Sequence, residues 1–146
     1  MACVLPPGFG DPPGYKLDQC STQRNLGEKG KKQSVAIGSW LRAQGIKNAR
    51  VMSSAWCRCL DTARLLDVGA VLVESSLGSF FDDMSLAKSQ TIALQKMIAM
   101  NLAQHKTQPL ILVTHHVNIE AFTGKVVNVG DMVLVKVKPD GSYISH

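Results

Sequence analysis

Three short apolar runs set apart by helical patterns constrain this chain most. ARVMSS (49–54), AVLVE (70–74) and PLILVT (109–114) each have strand length and β-branched content. Between and around them, apolar residues recur at helical spacing. Ala36, Ile37, Trp40 and Leu41 predict a helix that begins near Gly30 and stops at Gly45. A second helix is predicted over 56–66. A third, over 86–103, rests on Leu86, Ala93, Leu94, Met97, Ile98 and Leu102. VNIEAFTG predicts a short helix ended by Gly124. DMVLVKVKPDGSYIS alternates and turns at Asp140-Gly141, which predicts a late strand or a hairpin. Residues 6–25, opening PPGFGDPPG, read as a long loop with turns. Strands separated by helices predict an α/β domain with a mostly parallel sheet. Continuous apolar strands predict helices on both of its faces.

The 146 residues suit a single domain, and 45% apolar content suffices for a core. The net charge of +5 fits an anionic ligand. Aromatics at 5% and the lack of a dense Lys/Arg run argue against nucleic acid as a partner. Lys29, Lys31 and Lys32 read as a solvated helix face. No apolar run reaches the roughly 18 residues that cross a membrane, and MACVLPPGFGDPPG is not a signal peptide as written. Four cysteines, Cys3, Cys20, Cys57 and Cys59, are too few for a disulfide scaffold, although one pair suffices for a bridge in an oxidising compartment.

Ligands of open α/β sheets bind beyond the carboxyl ends of the strands. Two strands here end in polar signatures, VMSSAWCR and LVTHHVN, and both open onto the same sheet edge. Arg58 falls in the first turn of its helix, which Ser53 or Ser54 is expected to cap. A helix start favours an anion, and the guanidinium adds a bidentate fork for phosphate. His115 stands at a second such strand-to-helix junction, Asn118 one turn on supplies an amide, and Arg24 adds positive charge from the long loop. Each has a bland competitor: a structural histidine, Arg58 paired with Asp61, Arg24 paired with Glu28. A metal site from Cys57, Cys59, His115 and His116 is not expected, because C-x-C and H-H are tighter than usual zinc spacings. No cofactor is implied.

These motifs resemble the histidine phosphatase superfamily, also called phosphoglycerate mutase-like. The run from RNLGEKGKKQSVAIGSWLRAQGIKNARVMSSAWCRCLDTARLL is similar to that family's LTxxGxxQA helix and SSxxxRxxxTA strand–helix. LVTHHVNIEAFTG is similar to its VTHGxNIxALTG segment, and the likeness spans about residues 8 to 140. CSTQRNL, WCRC and SFFDD resemble a bacterial branch of small members, many of them exported. The resemblance implies a three-layer sandwich and a phosphomonoesterase working through a phosphohistidine. It implies that His115 is the second active-site histidine, Arg58 a phosphate-binding arginine and Asn118 a residue near the phosphate. His116 takes the place of a glycine beside His115 and is a candidate to approach the phosphate. Asp82 or Asp83, ahead of Glu74, is the implied carboxylate acid.

The sequence departs from that family at its most important position. Relatives read R-H-A-x-x-P-G before the GDPPG loop, and alignment on Pro7-Gly8 puts Ala2 at the arginine and Cys3 at the nucleophilic histidine. His105, His116 and His146 do not replace it. Cys3 is not expected to act as a thiolate nucleophile, because the two prolines in VLPPG provide no phosphate-cradling N–H groups. The first central strand is expected to be largely absent and the domain, residues 1–146, N-terminally incomplete. The expectation is therefore a phosphatase-like protein that is impaired or inactive, or a phosphate-binding protein without turnover. Its partner is a small phosphorylated substrate or phosphate. The location expected is cytoplasmic as written, or exported if a signal peptide lies upstream, and in that case Cys20 is expected to pair with Cys57 or Cys59.

Overall fold

A computed structural model describes residues 1–3 and 10–145. The first part of the PPGFGDPPG loop, and with it Pro7-Gly8, lies outside the described residues. Helix α1 spans Glu28–Ala43, β1 Arg50–Ser53, α2 Cys57–Leu66, β2 Val71–Val73, α3 Ala87–Gln104, β3 Leu110–Val113 and α4 His116–Thr123. A short antiparallel pair, β4 (Lys136–Val137) and β5 (Tyr143–Ser145), follows, so the late alternating segment is a hairpin.

Strand β1 is the middle of a parallel sheet ordered β2-β1-β3. Its register pairs Ser53 with Val73 on one side and with Val113 on the other. All three strands thus end at one level. Side chains alternate across a strand, so neighbours in β1 feed opposite layers. Val51 packs into a cluster with Leu41, Trp56, Ala63, Leu66 and Val113, on the side of α1 and α2. Met52 packs into a second cluster with Leu77, Leu94, Met97 and Ile98, on the side of α3. This is the expected α/β sandwich, a parallel sheet between helical layers.

Residues 1–3 run beside β3 on its far side. Ala2 bridges Thr114 in parallel, Thr114 N donates to Met1 O, and Cys3 N donates to Thr114 O at 2.8 Å. An isolated bridge is all that stands in the position of a fourth strand among the described residues. Its register sets Cys3 level with His115.

Helix α1 buries small residues along with only part of its large apolar set. Gly30, Ser34, Gly38 and Leu41 are buried, whereas Trp40 is 55% exposed and Ala36 is exposed. The reason is close approach: a Cβ at Gly38 would fall on the Leu66 carbonyl of α2. Small residues bring the two helix backbones together, Leu41 and Ile37 stay against the core, and Trp40 is turned outward. Helix α4 ends as expected, with Gly124 at φ 73 in the left-handed region that glycine tolerates.

Candidate functional site

The two polar strand ends meet. Ser54 follows β1 and His115 follows β3, and the Ser54 hydroxyl lies 2.8 Å from His115 Nε2. His115 is the N-cap residue of α4, and its carbonyl accepts from the N–H groups of Asn118 and Ile119. Trp56 sets its ring edge-on against the imidazole, with centroids 5.0 Å apart. His115 is 4% exposed. Burial first, and then the positive charge of Arg58, push its pKa down to about 3 against weaker support from Asp11. The imidazole is therefore neutral near pH 7.

Arg58 sits in the first turn of α2 as expected, but its partner is not Asp61. Its Nη1 donates to Asp11 Oδ1 at 2.7 Å, and both side chains are nearly fully buried. Asp61 instead approaches Arg64, and Glu28 bonds Lys31. Asp11 is the residue sequence reasoning missed. Besides Arg58 it accepts from Arg24 N at 2.9 Å and Trp56 Nε1 at 3.0 Å. Burial works to raise its pKa, but these hydrogen bonds and the charge of Arg58 outweigh it and hold the carboxyl below its ordinary value. Only its place in the GDPPG loop marked it in sequence, and no periodicity pointed at Arg58. Arg58 Nε has no hydrogen-bond partner among the described residues.

The expected serine cap of α2 is not what forms. Trp56 is the N-cap residue and makes no side-chain cap bond. The cap is supplied from the loop: Gln23 Oε1 accepts from Cys57 N at 2.9 Å. Ser54 faces His115 instead, with only a long 3.4 Å contact from Trp56 N. The loop is fixed beside this helix by a Cys20–Cys57 disulfide, one of the two pairings expected for Cys20. A second disulfide joins Cys3 to Cys59, so both cysteines lie against His115: Cys3 Sγ is 3.9 Å from Nδ1 and Cys59 Sγ 3.7 Å from Nε2.

The remaining expected residues lie around this centre in different ways. Arg24 contributes its backbone N–H to Asp11, and its guanidinium donates to Gly10 O at 3.3 Å. Asn118 is buried and donates Nδ2 to Gly78 O at 2.8 Å, while its Oδ1 is unpartnered among the described residues. His116 is exposed, packs near Phe81, and lines a cavity of about 340 Å³ with Ala2, Cys3, His115 and residues 127–129. Asp82 is exposed and accepts from Tyr15 OH at 3.2 Å; Tyr15 in turn packs by Trp56. Asp83 and Glu74 are spent on local turns, accepting from Ser85 N and Ser76 N. Among the described residues, no helix is long and apolar enough to cross a membrane.

No protein-family model and no curated protein matches the sequence. Solved structures do match the fold. A mycobacterial glucosyl-3-phosphoglycerate phosphatase superposes with TM-score 0.54 at 18% identity, covering 77% of this chain and 73% of its own. YhfR of Bacillus stearothermophilus gives 0.62 at 14% identity, covering 82% of each chain. The protein histidine phosphatase SixA, solved with tungstate, gives 0.53 at 17% identity, covering 84% and 81%. The chain therefore has the histidine phosphatase, phosphoglycerate mutase-like fold that its motifs resemble.

Proposed function

We propose that residues 1–146 act as one histidine phosphatase-like domain that holds a phosphate-sized anion and does not hydrolyse phosphomonoesters. The observation that carries this reading is the register at residues 1–3. It sets Cys3 at the strand end beside His115, the position where the family resemblance implies a nucleophilic histidine. Loss of the nucleophile from a covalent mechanism costs on the order of a million-fold in turnover.

In this reading Arg58 is the anion's main partner, with Arg24 at the loop and Asn118 and His116 at the rim. Asp82, the proton donor the resemblance implies, has in this reading no phosphohistidine to serve. His115, neutral, offers a hydrogen bond where an active enzyme needs charge stabilisation. Asp11 occupies Arg58 already, so an incoming phosphate competes with a carboxylate and binds weakly. That SixA was solved with tungstate, an oxyanion, supports a similar ligand class here.

The test joins binding to turnover. Phosphate or vanadate titrated into the protein and followed by NMR should shift resonances near Arg58, and an Arg58→Ala variant should abolish the shift. p-Nitrophenyl phosphate should be hydrolysed no faster than by His115→Ala. Turnover well above that control would make this an enzyme and sink the proposal.

A further inference from the structure

Cys3, Cys59 and His115 come from three separate parts of the chain, the bridge beside β3, the first turn of α2 and the start of α4. All three are buried. One sulfur from each cysteine and one ring nitrogen lie within 4.8 Å of one another. Tetrahedral zinc, with Zn–S about 2.3 Å and Zn–N about 2.0 Å, sets its sulfur and nitrogen ligands roughly 3.6 Å apart. Cys3 Sγ is 3.9 Å from Nδ1, near that spacing; Cys59 Sγ lies 3.7 Å from the other ring nitrogen, Nε2, and must shift toward Nδ1 once the disulfide opens. We propose that the dithiol form of this protein binds one zinc-class ion through Cys3 Sγ, Cys59 Sγ and His115, with a fourth position open to the neighbouring cavity.

The surroundings fit that ligand set. Ser54 lies 2.8 Å from Nε2. When Nε2–H donates to that hydroxyl, Nδ1 keeps its lone pair on the side of Cys3. A hydrogen bond of this kind to the second ring nitrogen is how metal-ligating histidines are commonly oriented. Cys59 lies in the first turn of α2, where the helix start favours the negative charge of a bound thiolate. The cavity touches Ala2, Cys3, His115 and His116, so water or an exogenous ligand can reach the fourth position. Two cysteines and a histidine with one open place is a composition zinc enzymes use.

The disulfide and the metal exclude each other. A phosphine reductant and water convert Cys3–Cys59 to two thiols and phosphine oxide. Zinc then displaces the two thiol protons as it binds. Reoxidation by an added low-molecular-weight disulfide, itself reduced to two thiols with two protons from water, re-forms Cys3–Cys59 and releases the ion. This proposal does not depend on phosphate binding, and its readout is separate from it.

The experiment uses the full chain with Cys20→Ser and Cys57→Ser, so that no other cysteine pair contributes. The reduced protein is titrated with Zn(II), and with Co(II) as a spectroscopic substitute. One equivalent should bind, with thiolate-to-cobalt charge-transfer absorption, and the same protein left oxidised should bind none. In that background Cys3→Ser should weaken zinc by more than about 100-fold, above the range for losing an outer partner, and Ser54→Ala by about 10- to 100-fold. Circular dichroism establishes that each variant is folded. A folded, reduced protein that binds no zinc would overturn the proposal. So would equal affinity after Cys3→Ser, or cobalt spectra without thiolate absorption.

Discussion

The Asp11–Arg58 pair gives the sharpest test of how this site is held. The two side chains are 4% and 5% exposed and their charged atoms are 2.7 Å apart. Asp11→Asn keeps the shape and removes the charge, leaving the guanidinium buried without a counter-ion. Breaking one side of a buried pair typically costs about 3–5 kcal/mol, far more than the near-zero value of an exposed pair. Two neutral hydrogen bonds to Asp11, from Arg24 N and Trp56 Nε1, limit the relaxation open to the asparagine. Urea unfolding at pH 7 should therefore show a loss of about 3 kcal/mol or more with an unchanged slope. Phosphate then becomes the diagnostic reagent. With the carboxylate gone, the anion inherits Arg58, and at a hundred times its Kd it returns about 2.7 kcal/mol. Wild type should gain much less at the same concentration, because Asp11 competes. A variant as stable as wild type would refute the buried-pair argument. Equal stabilisation of both proteins by phosphate would refute the claim that Asp11 occupies the anion's position.

Acid should weaken the fold from two sides. His115 folds with a pKa near 3 against an ordinary 6.5, so the unfolded chain binds the extra proton and stability falls as pH drops below 6.5. By pH 4.5 the loss from this group is roughly 3 kcal/mol. Asp11, held low, adds stability that is present above its ordinary value of 3.8 and is lost as pH falls through its folded pKa. Urea midpoints should drop between pH 7 and 4.5 and drop less in His115→Gln; a flat wild-type profile would contradict the burial argument. The Cys20–Cys57 bond spans a sequence separation of 37, for which chain entropy gives roughly 4 kcal/mol. Replacing both residues with serine should lower stability by an amount of that order in calorimetry, and a change under 1 kcal/mol would mean that loop is ordered without it. Gly38→Ala should lower Tm, because its Cβ meets the Leu66 carbonyl, a backbone atom that cannot swing aside. Overpacking costs about 1–3 kcal/mol and outweighs the roughly 1 kcal/mol gained in helix propensity. A higher Tm would place the two helices further apart than described.

The sheet and the meeting of its polar strand ends were legible because they follow from local pattern. ARVMSS and PLILVT read as strands ending in polar residues, and the structure brings Ser54 and His115 into contact. What local pattern does not carry was misjudged. The spacing of large residues placed helix α1 but carried no sign that Gly30, Ser34 and Gly38 form the face buried with Leu41. The cap of α2 comes from Gln23, a residue 34 positions from Cys57, in place of the adjacent serines. Arg58 found Asp11 at a separation of 47 in preference to Asp61 one turn away. Burial explains that choice, since Asp61 is half exposed and Asp11 is not. Cys3 and Cys59 share no spacing a sequence could advertise, 56 residues apart.

The loop carrying Asp11 and Arg24 is closed on itself as well as stapled to α2. Pro12 O accepts from Tyr15 N, Lys16 N donates to Thr22 Oγ1 at 2.8 Å, and Lys16 O accepts from Gln23 Nε2 at 2.9 Å. Lys16 is solvent-exposed, yet its peptide groups are all engaged inward. A serine protease needs several residues in extended form in its cleft, so cutting after Lys16 requires this whole turn to open first. The oxidised protein should resist trypsin there and become susceptible once the Cys20–Cys57 tether is reduced. Opening the loop frees Asp11 from Arg58 only at the cost of that buried pair, so reduction should loosen the fold as well as expose Lys16.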